Sequence, residues 1–242
     1  MPPPKKGSFF FGGGYFVFSY IFKIKGSYFV REIDIELLNN KKLTRTLIRI
    51  FDILLSIIGI ICLLPIFLLT ALFIKIESPK YPVIFKQERI GENGQKFIMY
   101  KFRSMVVDAE DRLESLLELN EVEGAIFKIK EDPRVTKVGK IIRKTSIDEL
   151  PQLLNVLKGE MSLVGPRPPL PREVAQYTDY DKQRLLIKPG CTGLWQINGR
   201  SHVHFEDMVA LDLEYIDNLS IKNYFKVIFK TIFMILNLEG AY

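Results

Sequence analysis

The chain has little of what disulfide scaffolds and metal centres are built from. Two cysteines occur among 242 residues, Cys62 in the most apolar stretch and Cys191 in a Pro/Gly-rich loop. That count argues against a disulfide framework and for a reducing setting around the polar part. The two histidines, His202 and His204, are spaced like a ligand pair on a strand, but no third ligand accompanies them, so no metal is expected there. The single tryptophan, Trp195, stands in a loop, where packing is the ordinary role and stacking on a base or sugar the alternative. Internal repeats and low-complexity tracts are also missing. An acidic surplus is absent: the net charge is +6 and the pI about 9.1, which points to an anionic partner such as nucleic acid, a lipid surface or a phosphorylated substrate. The basic residues lack the interleaved aromatics of a single-strand groove, so nucleic acid is not expected.

What is present is unevenly spread. Charged residues are 26% of the chain, an ordinary share, yet mean hydropathy is +0.10, so apolar residues must be concentrated somewhere. They are concentrated between Ile53 and Ile74, about 22 residues without a charge. As a helix this run is roughly 33 Å long, matching a bilayer's hydrocarbon core. It starts too late for a cleavable signal peptide, and no small-residue cleavage site follows. A buried core helix is the alternative, but such a helix should carry a polar face. Pro65 lies mid-run, where it removes a backbone hydrogen bond and clashes one turn back. Lys41, Lys42, Arg45 and Arg49 precede the run, and Lys75, Lys80, Lys86 and Arg89 follow it. Basic residues mark cytoplasmic ends, and here both ends are marked. A re-entrant helix broken at Pro65 satisfies both clusters; a straight span satisfies one.

The expected organisation is an N-terminal segment of uncertain role (1–40), a re-entrant membrane helix with its basic flank (41–76), and a cytoplasmic catalytic domain ending in an amphipathic helix (77–242). Within residues 1–40, Phe9–Ile24 is aromatic and apolar but short, and glycines interrupt it. The fold class is α/β, mainly helical with a small β-hairpin. VIFKQERI and QKFIMYKF form the hairpin, with Asn93-Gly94 at its turn. A helix is expected over 106–120, its carboxylates on a solvated face. Leu150, Leu153, Leu154 and Leu157 recur at helical spacing and stop at Gly159. Further helices are expected over 172–186, 205–217 and 221–236, with a loop over 188–200. Asp212-x-Glu214 reads as a solvated face. Lys222, Lys226 and Lys230 make the last helix suited to a membrane surface, with a lysine-edged core helix as the equal alternative.

The segment RKTSIDELPQLLNVLKGEMSLVGPRP (143–168) could carry chemistry. Asp148 and Glu149 stand where a helix begins, so unpaired N–H groups and the dipole favour their ionised forms. Phosphates are favoured there as well. Arg143 and Lys144 come just before, and Arg167 sits between two prolines in a stiff turn; guanidinium matches phosphate oxygens in pairs. Together these suit divalent-metal phosphoryl transfer. The same residues also spell a capping box, Ser146-x-x-Glu149, which needs no chemistry at all.

The segment TSIDELPQLLNVLKGEMSLVGPRP resembles the signature of the bacterial sugar transferases, monotopic phosphoglycosyl transferases of the undecaprenyl-phosphate hexose-1-phosphate transferase type. The likeness extends to FDILLSIIGIICLLPIF, VIFKQERIGENGQKFIMYKFRSM and DPRVTKVGKIIRKTS upstream, and to KPGCTGLWQINGR and FEDMVALDLEYIDNLS downstream. It covers about residues 46–236. The resemblance implies an aspartate–glutamate dyad at Asp148 and Glu149, with Asp148 as nucleophile and Mg²⁺ ligand. It implies phosphate-binding roles for Lys101, Arg143 and Arg167, and Arg200 is a further candidate that could equally be structural. The implied donor is a UDP-sugar, with glucose or galactose favoured, and the implied acceptor is undecaprenyl (polyprenyl) phosphate. The expected setting is the bacterial inner membrane, in contact with membrane lipid, feeding capsule, O-antigen or exopolysaccharide assembly. A homo-oligomer is an open option. The family usually has Ser before the proline of the membrane helix, where this chain has Leu64, so Pro65 alone would set the kink. Two other classes stay open: an inactive scaffold of glycan assembly and a membrane-anchored anion-binding protein.

Overall fold

The structure, a computed structural model, describes residues 22–24, 27–29, 32–112, 129, 132–198 and 204–237. Most of the 1–40 segment, the later part of the expected 106–120 helix, Arg200 and His202 lie outside the described residues. Strands β1 (Phe22–Ile24) and β2 (Ser27–Phe29) pair antiparallel. Helix α1 (Ile35–Asn40) is capped by Asp34, whose Oδ1 accepts from the Leu37 N–H at 3.0 Å.

Helix α2 (Lys42–Glu77) holds the apolar run and is long and apolar enough to cross a membrane. Its helical backbone continues through Pro65, so the expected break is instead a proline carried inside one helix. The ring costs about 3 kcal/mol and removes one internal bond, but the turns on either side keep theirs. The buried stripe of α2 is partly polar: Ile48, Asp52, Ser56, Thr70 and Ile74. The opposite face exposes Leu54, Ile58, Ile61, Leu68 and Leu72 by half or more.

Along its length α2 meets several of the elements that follow. Arg45 pairs with Glu92, and the Arg49 guanidinium donates to the carbonyls of Val156 and Leu157. Phe67 packs edge-on against Phe102, and Ile74 is buried with Phe102 and Ile142. Glu77 accepts the Lys137 N–H at 2.8 Å.

Strands β3 (Ile84–Ile90) and β4 (Lys96–Phe102) form the hairpin, in register from Ile84↔Phe102 to Ile90↔Lys96. The link runs through a 3-10 turn at Glu92–Gly94, with Asn93 and Gly94 both left-handed (φ 54° and 76°), the conformation that favours Asn and Gly. Residues 107–112 are turns rather than the start of a helix. The Ala109 N–H bonds Val106 O and the Arg112 N–H bonds Asp108 O, closing single turns, while Arg134 takes the Val106 N–H on its carbonyl and donates its guanidinium to Ala109 O.

Helix α3 (Lys137–Lys144) starts at the capping hydroxyl of Thr136. Helix α4 (Gln152–Lys158) ends at left-handed Gly159 as the leucine spacing predicts. Strand β5 (Ser162–Val164) runs parallel to β6 (Gly190–Thr192). Between them the expected 172–186 helix is divided into α5 (Pro171–Val174), α6 (Asp179–Lys182) and a 3-10 turn, because Thr178 caps a new start with Asp181. A short helix, α7 (Leu194–Ile197), lies within the expected loop.

Helices α8 (Phe205–Asp217) and α9 (Ile221–Leu236) have their predicted bounds. Val209, Leu213 and Ile216 of α8 join Tyr224 and Val227 of α9 in a core closed by Ile48 and Phe51 of α2. Asp212 is not solvated: it is 1% exposed and paired with buried Arg184, Nη2 to Oδ2 at 2.6 Å. Helix α9 buries Tyr224 and Val227 but exposes Phe229, Ile232 and Phe233, so neither sequence alternative describes it fully.

Candidate functional site

Asp148 and Glu149 occupy a 3-10 turn, Ile147–Glu149, between α3 and α4. The capping box does not form. Ser146 is left-handed (φ 55°), its side chain makes no capping bond, and α4 begins only after Pro151, which brings no N–H. The turn faces inward instead, leaving Asp148 8% exposed. Burial raises its carboxyl to about 6; Lys101 and Arg143 pull it back, while Glu149 pushes it up. Ionisation is therefore harder than at an open helix N-terminus, although the group is still mostly charged at neutral pH. Lys101, projecting from β4, bonds Glu149 Oε1 at 2.7 Å. Arg143 comes from the last turn of α3.

Arg167 stands in the turn between β5 and α5. Its Nη1 donates to Glu173 Oε2 at 3.1 Å, and Glu173 is buried with its other duty on the Leu170 N–H at 2.9 Å. Lys101, Arg143, Asp148, Glu149 and Arg167 all line one cavity of about 1300 Å³. Five residues between 101 and 167 thus meet although four different segments carry them.

Trp195, Gln196 and Cys191 line the same cavity. The Trp195 Nε1 is buried without a partner among the described residues. Burial pushes the Cys191 thiol well above its usual range, and neither cysteine is bridged. His204 precedes α8 at the surface. Among the described residues no three His, Cys, Asp or Glu side chains converge as a metal cluster. Arg200 and His202 are outside the described residues.

Sequence reasoning missed Arg89, which it counted as a flank of the apolar run. Arg89 is 8% exposed in the cavity wall, where burial and the neighbouring Arg167 lower its guanidinium to about 9. The available signal was strand parity: Arg89 alternates with Phe85 and Gln87 on the inner side of β3, not with Lys86 and Glu88.

Comparison with known proteins adds identity to this geometry. The family model described as bacterial sugar transferase matches residues 43–238. Galactosyl transferase CpsE of Streptococcus agalactiae serotype III is 50% identical over 196 residues, 80% of this chain and 43% of that protein. The undecaprenyl-phosphate galactose phosphotransferase of Salmonella typhimurium is 44% identical over 206 residues, 84% of this chain and 43% of its own length. The chain therefore spans less than half the length of these two relatives. Exopolysaccharide production protein ExoY of Rhizobium meliloti is 41% identical over 198 residues, 80% of this chain and 87% of ExoY. With its signature turn, hairpin and apolar helix all inside the matched region, the chain belongs to the bacterial sugar transferase family.

Proposed function

We propose that this chain is a phosphoglycosyl transferase that moves a hexose 1-phosphate from a UDP-sugar to undecaprenyl phosphate through an intermediate on Asp148. The carrying observation is a buried carboxylate that faces Lys101 and Arg143 inside a cation-lined cavity. The names of its relatives, galactose and glucose phosphotransferases acting on undecaprenyl phosphate, support the substrate class.

In the first step an Asp148 oxygen attacks the sugar-bearing phosphorus. The bond from that phosphorus to the bridging oxygen breaks, and UMP leaves with the oxygen and the electron pair. In the second step a phosphate oxygen of the polyprenyl carrier attacks the same phosphorus. Asp148 departs as carboxylate and the product is a polyprenyl diphosphate sugar. Burial keeps water from the acyl phosphate and leaves the Asp148 carboxylate poorly solvated, hence reactive. Arg143 and Arg167 balance the diphosphate charge, and Glu149 holds the Lys101 ammonium toward it.

Asp148 and Glu149 provide the carboxylates a Mg²⁺ ion would use. One or two carboxylates completed by substrate oxygens and water is the donor set this ion prefers, so the residues fit it. Bound there, the ion would neutralise charge on the diphosphate.

A re-entrant seat for α2 in the cytoplasmic leaflet, with the helix bent at Pro65 but not interrupted there, completes the proposal. Lys41 near its start donates to Asp217 O, and Glu77 at its end accepts from Lys137, so both ends dock on one polar domain. A straight crossing would have to drag that domain into lipid. The outward apolar face of α2 and exposed Phe229 and Phe233 of α9 suit the bilayer, which brings the site to headgroup depth.

The test is UMP release by detergent-solubilised protein with polyprenyl phosphate, Mg²⁺ and a panel of UDP-sugars. Release with one donor that disappears in EDTA, and a hexose-phosphate mass adduct when the acceptor is left out, are expected. Release without any adduct would replace the covalent route by direct transfer; no release from any donor would sink the proposal.

A further inference from the structure

The turn that carries Arg167 can do little for its own carbonyls. Pro166, Pro168 and Pro169 have no N–H, so no ladder forms within it. Carbonyls left unpaired inside a protein are costly. Each carbonyl from Pro166 to Pro169 is instead met by a donor from another segment. The Gly190 N–H reaches Pro166 O at 2.8 Å, and the Ile90 N–H reaches Pro169 O at 3.0 Å. The two between them are taken by buried guanidiniums: Arg184 Nη2 donates to Arg167 O at 3.5 Å, and Arg89 Nη1 to Pro168 O at 2.9 Å.

Both guanidiniums are themselves held. Arg184 Nε and Nη2 lie 2.8 and 2.6 Å from Asp212 Oδ2, and Nη1 donates to the Tyr177 hydroxyl at 2.8 Å. Arg89 Nη2 donates to Gln87 Oε1 at 2.6 Å. For Arg89, burying a cation to serve neutral oxygens is a poor route to stability, because desolvation offsets much of the gain. What the pair achieves is geometric. It grips the main chain at Arg167 itself and at the next residue, leaving the Arg167 side chain to Glu173 and the cavity.

We propose that Arg89 and Arg184 are positioning residues that fix the Arg167 main chain, so that the Arg167 guanidinium meets the nucleotide donor's diphosphate in one orientation. The inference rests on the proposed function. Planar forks anchored at several atoms suit this task better than a lysine, which offers a single swivelling point charge. Small displacements of such a group cost large factors in rate.

The test is a double-mutant cycle on UMP release, with melting temperatures recorded for every variant. Arg89→Lys should lower kcat/KM for the donor roughly 10- to 100-fold. The effect should lie mainly in the donor KM and leave the KM for the lipid acceptor unchanged. In an Arg167→Ala background the same change should cost less than about threefold, since the clamp has lost what it positions. Equal fold losses in both backgrounds would mean that Arg89 acts on the fold at large and would overturn the inference. So would an Arg89→Lys enzyme within about twofold of wild type. Tyr177→Phe loosens Arg184 without emptying its buried site; run through the same cycle, it carries the same two readings if Arg89→Lys does not fold. A wild-type chain that turns over no donor overturns the proposed function and this inference together. Turnover with additive losses overturns the inference alone.

Discussion

Asp148 and Asp212 are both buried aspartates, but of the two Asp148 alone lines the cavity. Asp212 meets a fully buried arginine at 2.6 Å in a closed pocket. Asp148 feels the charges of Lys101 and Arg143, and Lys101 is bonded to Glu149. The first carboxylate is neutralised within the fold. The second lines the cavity, within reach of a bound substrate, as the proposed nucleophile must be. Burial alone does not separate a structural acid from one a substrate can reach; the ion pair and the cavity do.

Four experiments would break or sharpen that contrast. The largest effect is expected for Asp148→Asn, which should cut UMP release at least about 10⁴-fold with the fold intact, measured as initial rates beside circular dichroism. Next, Asp212→Asn should destabilise by roughly 3–5 kcal/mol, because Arg184 is left as an unpaired buried charge. Chemical denaturation would read this, and a loss below about 1 kcal/mol would make the pair as dispensable as a surface one.

The third is opposite in sign. The folded carboxyl of Asp148 titrates near 6, above its unfolded value of about 3.9, so the native chain binds the extra proton between those values. Stability from this group is therefore full below about pH 4 and is lost as pH rises through about 6. In EDTA, Asp148→Asn should then stabilise the chain by on the order of 2 kcal/mol at pH 8 and by almost nothing near pH 4. Melting curves at the two pH values test it; an equal effect at both would refute the burial cost. The smallest effect belongs to Arg45→Ala. Its partner Glu92 and Arg45 itself are 20% and 37% exposed, and losing this half-solvated pair should cost less than about 1 kcal/mol in the same denaturation assay.

Much of the architecture was legible because local periodicity encodes it. The bounds of α8 and α9, the leucine spacing that ends at Gly159, the Asn93-Gly94 turn and the long apolar helix all follow from neighbours within a few residues. Where the reading failed, a distant partner had intervened. The 106–112 stretch gives the Val106 N–H and the Ala109 carbonyl to Arg134, and Asp212 turns inward to Arg184, 28 positions away in sequence. The Ser146 cap pattern was present in the letters but not in the backbone, since the left-handed serine and Pro151 tighten the chain into a 3-10 turn.

The sequence by itself determined that this chain has a long apolar helix, a net positive charge, and an aspartate–glutamate pair followed by a proline-rich turn. These are properties of composition and short-range spacing. Only the tertiary structure decided that Asp148 is desolvated, that Lys101 belongs to Glu149, that Arg89 is a wall of the cavity rather than a membrane flank, and that α2 packs on the segments carrying Lys101, Arg143 and Asp148. Solvent exposure and charge pairing depend on which surfaces meet, and meeting is settled by the packing of segments far apart in the chain.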